Sequence, residues 1–239
     1  TEHLLSLVAA DLWYADPMAT ISRRLFGLGF VTATALLSLG SQSCSKNSNE
    51  VVVGAYLSLS GSDSTFGTDT RDGIELAVTE VNTAGGVKGK KVKVIYEDDK
   101  STSQEASNKV RQLIDRDHAV AILGEVASSR SLAGGLIANT KRVPMITPSS
   151  TAVEVTKDRE YVFRTCFTDA QQGDVAARFV VQTLKKKNVG LMYVSQDNYS
   201  AGLAKSFKES LQKLGGTVVV EKGYQQKETQ FKTLLSAIK

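Results

Sequence analysis

Cysteine and histidine are scarce in this chain: two of each, Cys44 and Cys166, His3 and His118. No Cys/His cluster has metal-ligand spacing, which argues against a zinc site, and no cofactor motif is present. The phosphate-cradling and dinucleotide fingerprints are missing too. "GGVKGK" follows a helical pattern instead of a strand and therefore reads as a turn. No internal repeat is visible. The longest apolar run, residues 25–39, falls short of the ~20 residues that span a bilayer as a helix. Charge is not concentrated either. The net charge is +4, and the lysines and arginines are scattered on helix faces, so nucleic-acid binding is not expected. With 41% hydrophobic and 23% charged residues, the 239-residue chain suits one or two globular domains and not bulk disorder.

The N-terminal part reads as an address. Residues 18–43, "MATISRRLFGLGFVTATALLSLGSQS", have a basic start at Arg23-Arg24, an apolar stretch and small residues before Cys44. That is the layout of a secretory signal peptide. "SRRLF" is similar to a twin-arginine export signal. Cys44 stands where a bacterial lipoprotein carries its lipidated cysteine. Ser41 occupies the position where Leu is usual, and Ser41 with Ser43 also suits ordinary cleavage before Cys44, so both readings stay open. Residues 1–17 precede this signal without a starting Met and are expected to lie outside the true reading start.

After the polar linker 44–50, apolar periodicity alternates between strand and helix. "VVVGAYL" is a continuous run of buried parallel type. "RDGIELAVTEVN" has helical spacing and stops at Gly85-Gly86. "KVKVIYE", "VAILG", "VPMIT", "YVFRT", "VGLMYVS" and "TVVVEKGY" read as strands. Residues 103–117, 129–140, 169–187, 200–216 and 230–239 read as helices. This rhythm predicts an open α/β sheet with right-handed crossovers. A first lobe is expected over 51–168 and a second over 169–239. The second is short for a complete lobe, so further C-terminal sequence is expected.

In open α/β sheets, ligands bind beyond the carboxyl ends of the strands. Three small polar loops lie there: "SLSGSDSTFG" (58–67), "GEVASSRS" (124–131) and "TPSSTA" (147–152). Helix capping accounts for any one of them. All three at one sheet end point to a site. Ser128 and Ser129 open a helix, where unpaired N–H groups and the helix dipole favour an anion, and a carboxylate fits without a buried Arg.

"FGTDTRDGIELAVTEVNTAGGVKGKKVKVIYEDDKS", "ILGEVASSRSLAGG", "VPMITPSSTAVEVT", "YVFRTCFTDAQQG" and "DNYSAGLAKSFKESLQKLGG" together resemble the branched-chain amino acid (Leu/Ile/Val) binding proteins of ABC transporters. The likeness runs through residues 50–239. It implies a type I periplasmic-binding-protein fold: two open, doubly wound parallel-sheet lobes that close on a ligand, the second cut short here. It implies that Ser128 and Thr151 take the ligand carboxylate, that the Ser149 carbonyl accepts from the ammonium, and that Phe66 and Tyr199 flank the ligand from the two lobes. Ser101 and Ala127 stand where the Leu/Ile/Val binder has a disulfide. The acidic partner for the ammonium falls after Lys239. The resemblance further implies an extracytoplasmic or periplasmic location, delivery to a membrane permease and a monomeric state. A receptor's ligand domain shares the fold, and relatives bind amides, urea or aromatic acids, so these stand as alternatives.

An enzyme is not expected. Glu97-Asp98-Asp99 at a strand end is read as capping the helix that starts at Ser103. His118 precedes its strand, at the sheet end opposite the loop serines, which is the wrong geometry for a triad. Cys166 has no base and reads as a small buried residue.

Overall fold

The computed structural model describes residues 49–236. The signal segment 18–43, the upstream residues 1–17 and the lipidation position Cys44 lie outside the described residues.

Strand β1 (Glu50–Leu57) is followed by α1 (Ser64–Thr83), β2 (Lys91–Asp98), α2 (Ser103–Asp115), β3 (Ala121–Leu123), α3 (Ser128–Lys141), β4 (Met145–Thr147) and β5 (Val162–Arg164). These strands form one sheet in the order β2-β1-β3-β4-β5, with every pairing parallel. The connection that runs out from β1 to β2 and the one that returns past β1 to β3 put a topological switch point between β1 and β3. Next come α4 (Asp169–Arg178), β6 (Asn188–Val194), α5 (Asn198–Lys213), β7 (Thr217–Tyr224) and α6 (Lys232–Ser236), with β6 and β7 paired in parallel in a sheet of their own.

The apolar patterns account for the packing. In α2, Ala106, Val110 and Leu113 recur at helical spacing and are fully buried. They join Tyr56, Ile122, Ala138, Met145 and Val162 in the main core. The smaller core gathers Ala177, Phe207 and Leu211 against Val189, Leu191 and Val218, so α4 and α5 together cover the β6–β7 sheet.

Three elements differ from the sequence reading. Helix α1 begins at Ser64, ahead of the expected 71, which puts Phe66 in a helix turn and not in a loop. Serine, threonine and glycine have weak helix propensity there, and tertiary contact overrides it. Gly67 makes that contact: a Cβ on it would sit 2.0 Å from the Ser58 carbonyl oxygen. The helix expected over 169–187 is regular only to Arg178 and continues as a π-helical turn over Phe179–Thr183. Val120 is exposed and precedes β3 instead of belonging to it.

Candidate functional site

The carboxyl ends of β1, β3 and β4 and the amino ends of α1, α2, α3 and α5 border a cavity of about 700 Å³. Phe66, Ser128, Ser149, Thr151 and Tyr199 all line it. So do Val126, Ala127 and Phe167, which give it an apolar wall.

At its floor, α3 starts without a side-chain cap. Its N-cap is Ala127, and the first-turn amides carry the positive end of the helix dipole. Ser128 is almost fully buried at this first turn, and its Oγ accepts the Ala152 N–H at 3.2 Å, which leaves the hydroxyl proton free to donate. Thr151 is buried; its hydroxyl lies beside the Asp169 carboxylate, whose pKa it lowers, but makes no well-formed hydrogen bond among the described residues. A buried hydroxyl left unpaired beside an uncapped helix start is unusual, because such groups are normally satisfied. Ser149 is exposed and its Oγ donates to the Val126 carbonyl at 3.3 Å. Phe66 is 61% and Tyr199 38% exposed, as befits aromatic surfaces facing an open cavity. Tyr199 enters from α5, and its hydroxyl accepts from Gln172 Nε2 of α4 at 3.3 Å.

The sequence reading missed what holds this floor. Glu125, fully buried just after β3, accepts from Ser58 N at 3.2 Å, Ser58 Oγ at 3.1 Å, Ala127 N at 2.7 Å and Arg130 Nε at 2.9 Å. Its carbonyl accepts from the hydroxyls of Ser131, Thr147 and Ser150. One residue thereby ties the β1, β3 and β4 loops together. Arg130, buried in α3, also pairs with Asp63 at 2.6 Å. The favourable interactions with Glu125 and Asp63 outweigh burial and raise the guanidinium pKa further. A signal was present: a Glu directly after an apolar strand, five residues before an Arg in a stretch of small residues.

The expectation for Glu97-Asp98-Asp99 is corrected. The cap of α2 is Thr102, whose hydroxyl accepts from Glu105 N at 3.2 Å. Asp98 Oδ1 accepts from the amides of Leu59, Ser60 and Lys100, and Asp99 accepts from Ser58 Oγ at 2.7 Å and Ser101 N at 2.9 Å. Both carboxylates end β2 beside the loop after β1, so parallel register aims them at that loop and away from α2. Ser101 bonds the same loop: its Oγ accepts from Asp63 N at 3.2 Å and donates to the Ser60 carbonyl at 2.9 Å. Cys166 is half-buried, and burial pushes its thiol pKa up, away from the thiolate.

Comparison with known proteins bears on this cavity. A family model described as periplasmic binding protein matches residues 50–239. An amino acid binding protein of Pseudomonas aeruginosa is 30% identical over 222 residues, 92% of this chain and 58% of its own length. A Leu/Ile/Val-binding protein of Citrobacter freundii is 30% identical over 214 residues, 89% of this chain and 57% of its own. The crystal structure of a leucine binding protein from Thermotoga maritima superposes with a TM-score of 0.75 at 35% identity, covering 79% of this chain and 53% of that one. The chain therefore spans a little over half the length of the curated relatives it matches.

Proposed function

The chain belongs to the periplasmic binding protein family, and on that footing we propose that it is the extracytoplasmic substrate-binding component of an ABC importer. Its ligand is a branched-chain or related amino acid, held between the two lobes and passed to a membrane permease. It works as a monomer and is not an enzyme. Export is by the signal segment 18–43, with Cys44 as the anchoring position if lipidated. Among the described residues no helix is long and apolar enough to cross a membrane.

The observation that carries this reading is the buried Thr151 hydroxyl, which makes no well-formed hydrogen bond among the described residues, beside the uncapped start of α3 in a cavity with apolar walls. Ser128 Oγ–H, Thr151 Oγ1–H and the first-turn amides supply donors to one point, which suits a carboxylate. The Ser149 carbonyl faces the ammonium. Phe66, Val126, Phe167 and Tyr199 offer the ligand's side chain an apolar surface. Affinity arises because the donors are fixed before the ligand arrives. Closure follows because the ligand touches both lobes and so favours the state in which both touch it.

A thermal-shift titration of the full chain tests this. The panel is the common L-amino acids plus urea, short amides and aromatic acids. A saturable rise in Tm with leucine, isoleucine or valine supports the proposal, since a ligand stabilises the state it binds. A rise confined to urea, amides or aromatic acids replaces the ligand class. No rise with any compound contradicts the proposal.

A further inference from the structure

Behind the cavity floor lies a buried group of side chains in which one carboxylate oxygen lacks a donor among the described residues. Ser58, Asp99 and Glu125 end β1, β2 and β3 at the switch point, and all three are fully buried. Ser58 Oγ is 2.7 Å from Asp99 Oδ1 and 3.1 Å from Glu125 Oε1. A hydroxyl carries one proton and can donate to only one of those oxygens at a time; the other is left to its backbone donor, Ser101 N–H for Asp99 Oδ1 or Ser58 N–H for Glu125 Oε1. Asp99 Oδ2 has no hydrogen-bond partner among the described residues. The one cation within ion-pair distance among the described residues is Arg130. It lies 2.9 Å from Glu125, 2.6 Å from Asp63 and 4.0 Å from Asp99. Three carboxylates thus converge on one guanidinium in a buried place, where two like charges do not both stay ionised cheaply.

We infer that Asp99 holds a proton beside the buried Glu125 carboxylate, and that its loss weakens ligand binding in the cavity above. With the proton in place, Asp99 is neutral and Glu125 is free to hold the Ala127 amide and Arg130. When the proton leaves, the Asp99 anion repels Glu125 and competes for Arg130. It also adds negative charge beneath the site that receives a carboxylate. Both effects lower affinity as pH rises. Burial and then the Glu125 charge push Asp99 up to about 6, which sets the window. The other titratable groups facing Asp99 are Tyr56 from β1 and Arg130 from α3. Asp98 and Lys100 flank it, and Asp98 bonds away through Ser60 and neighbouring amides.

The inference has two parts that are tested separately. The first needs no ligand: carboxyl carbon NMR of the full chain, labelled at Asp and Glu, titrated between pH 4 and 8. One carboxyl is expected to titrate near pH 6 and to disappear in Asp99→Asn. In Ser58→Ala, which removes the hydroxyl bond to the anion, the same titration moves to higher pH. If no carboxyl titration above about pH 5 disappears in Asp99→Asn, the proton on Asp99 is overturned, since a signal that persists in that variant belongs to another buried carboxyl such as Asp169. The second part rests on the proposed function and uses leucine. Its affinity is expected to fall by about fivefold or more from pH 5 to pH 8, the low end of typical coupling between sites. In Asp99→Asn it is expected to stay at its acid level. Leucine binding that is independent of pH in a chain that shows the titration overturns the coupling. Absence of leucine binding at every pH overturns the proposed ligand, and the carboxyl titration then decides the Asp99 proton alone.

Discussion

Replacing Glu125 by Gln tests whether the cavity floor depends on one buried carboxylate. The amide nitrogen must occupy one of two positions. At the Oε2 position it would face two donors, Ala127 N–H and Arg130 Nε–H, now bonded at 2.7 and 2.9 Å. At the Oε1 position it would face Ser58 N–H but could donate to Ser58 Oγ, so this is the cheaper arrangement. The remaining losses are the charge on the Arg130 bond and the acceptor for Ser58 N. Breaking a buried ion pair costs about 3–5 kcal/mol when it strands the partner. Arg130 keeps Asp63, and relief of repulsion on Asp99 offsets part of the rest. We therefore expect a loss of about 2–3 kcal/mol, which corresponds to roughly 5–10 °C in Tm for a chain of this size. The assay is urea unfolding at pH 7.5, comparing midpoints at constant slope. A change smaller than about 0.5 kcal/mol, the level of an ordinary surface substitution, would refute the reasoning.

Asp169 is buried at the first residue of α4, neither of its oxygens has a well-formed hydrogen bond among the described residues, and burial raises its pKa against the opposing pull of the nearby Thr151 hydroxyl. Its charged form therefore costs stability at neutral pH, and the folded state gains on the unfolded chain as pH falls and the carboxyl protonates. Asp169→Asn is expected to raise Tm at pH 7.5 and to lose that advantage toward pH 4; a lower Tm at pH 7.5 would mean that the charge has a partner. Gly67→Ala places a Cβ 2.0 Å from a backbone oxygen of the facing loop and should cost about 2–3 kcal/mol by chemical unfolding. A neutral result would show that α1 does not need that close approach.

Much of the frame was legible in the apolar pattern. The long strands β1 and β7 and the helices α2 and α5 fall where continuous or periodic apolar runs predict them, because burial dictates those runs. The start of α1 was not legible. Ser64, Thr65 and Gly67 read as loop chemistry, and only their packing on the Ser58 loop makes them helical. The small polar loops at the carboxyl strand ends contain Phe66, Ser128, Ser149 and Thr151, which line the cavity, whereas Tyr199 follows only from the family resemblance. The charged floor beneath them was hidden. Charged residues are almost always on the surface, so Arg130 reads as one more solvated cation and Asp99 as a helix cap. Only three-dimensional proximity shows that residues 58, 63, 99, 125 and 130 form one buried group.

The central claim is that Thr151 presents its hydroxyl to a ligand carboxylate. Thr151→Val removes that hydroxyl with little change of shape. The decisive measurement is the affinity of this variant for leucine by titration calorimetry, alongside its ligand-free Tm. Among the described residues the hydroxyl makes no well-formed hydrogen bond and only lies beside the Asp169 carboxylate, so the account predicts a Tm close to that of the parent chain. It also predicts binding weaker by about 1–3 kcal/mol, because the bound carboxylate loses a buried donor. Unchanged affinity, or a loss of affinity that merely follows a loss of stability, would contradict it.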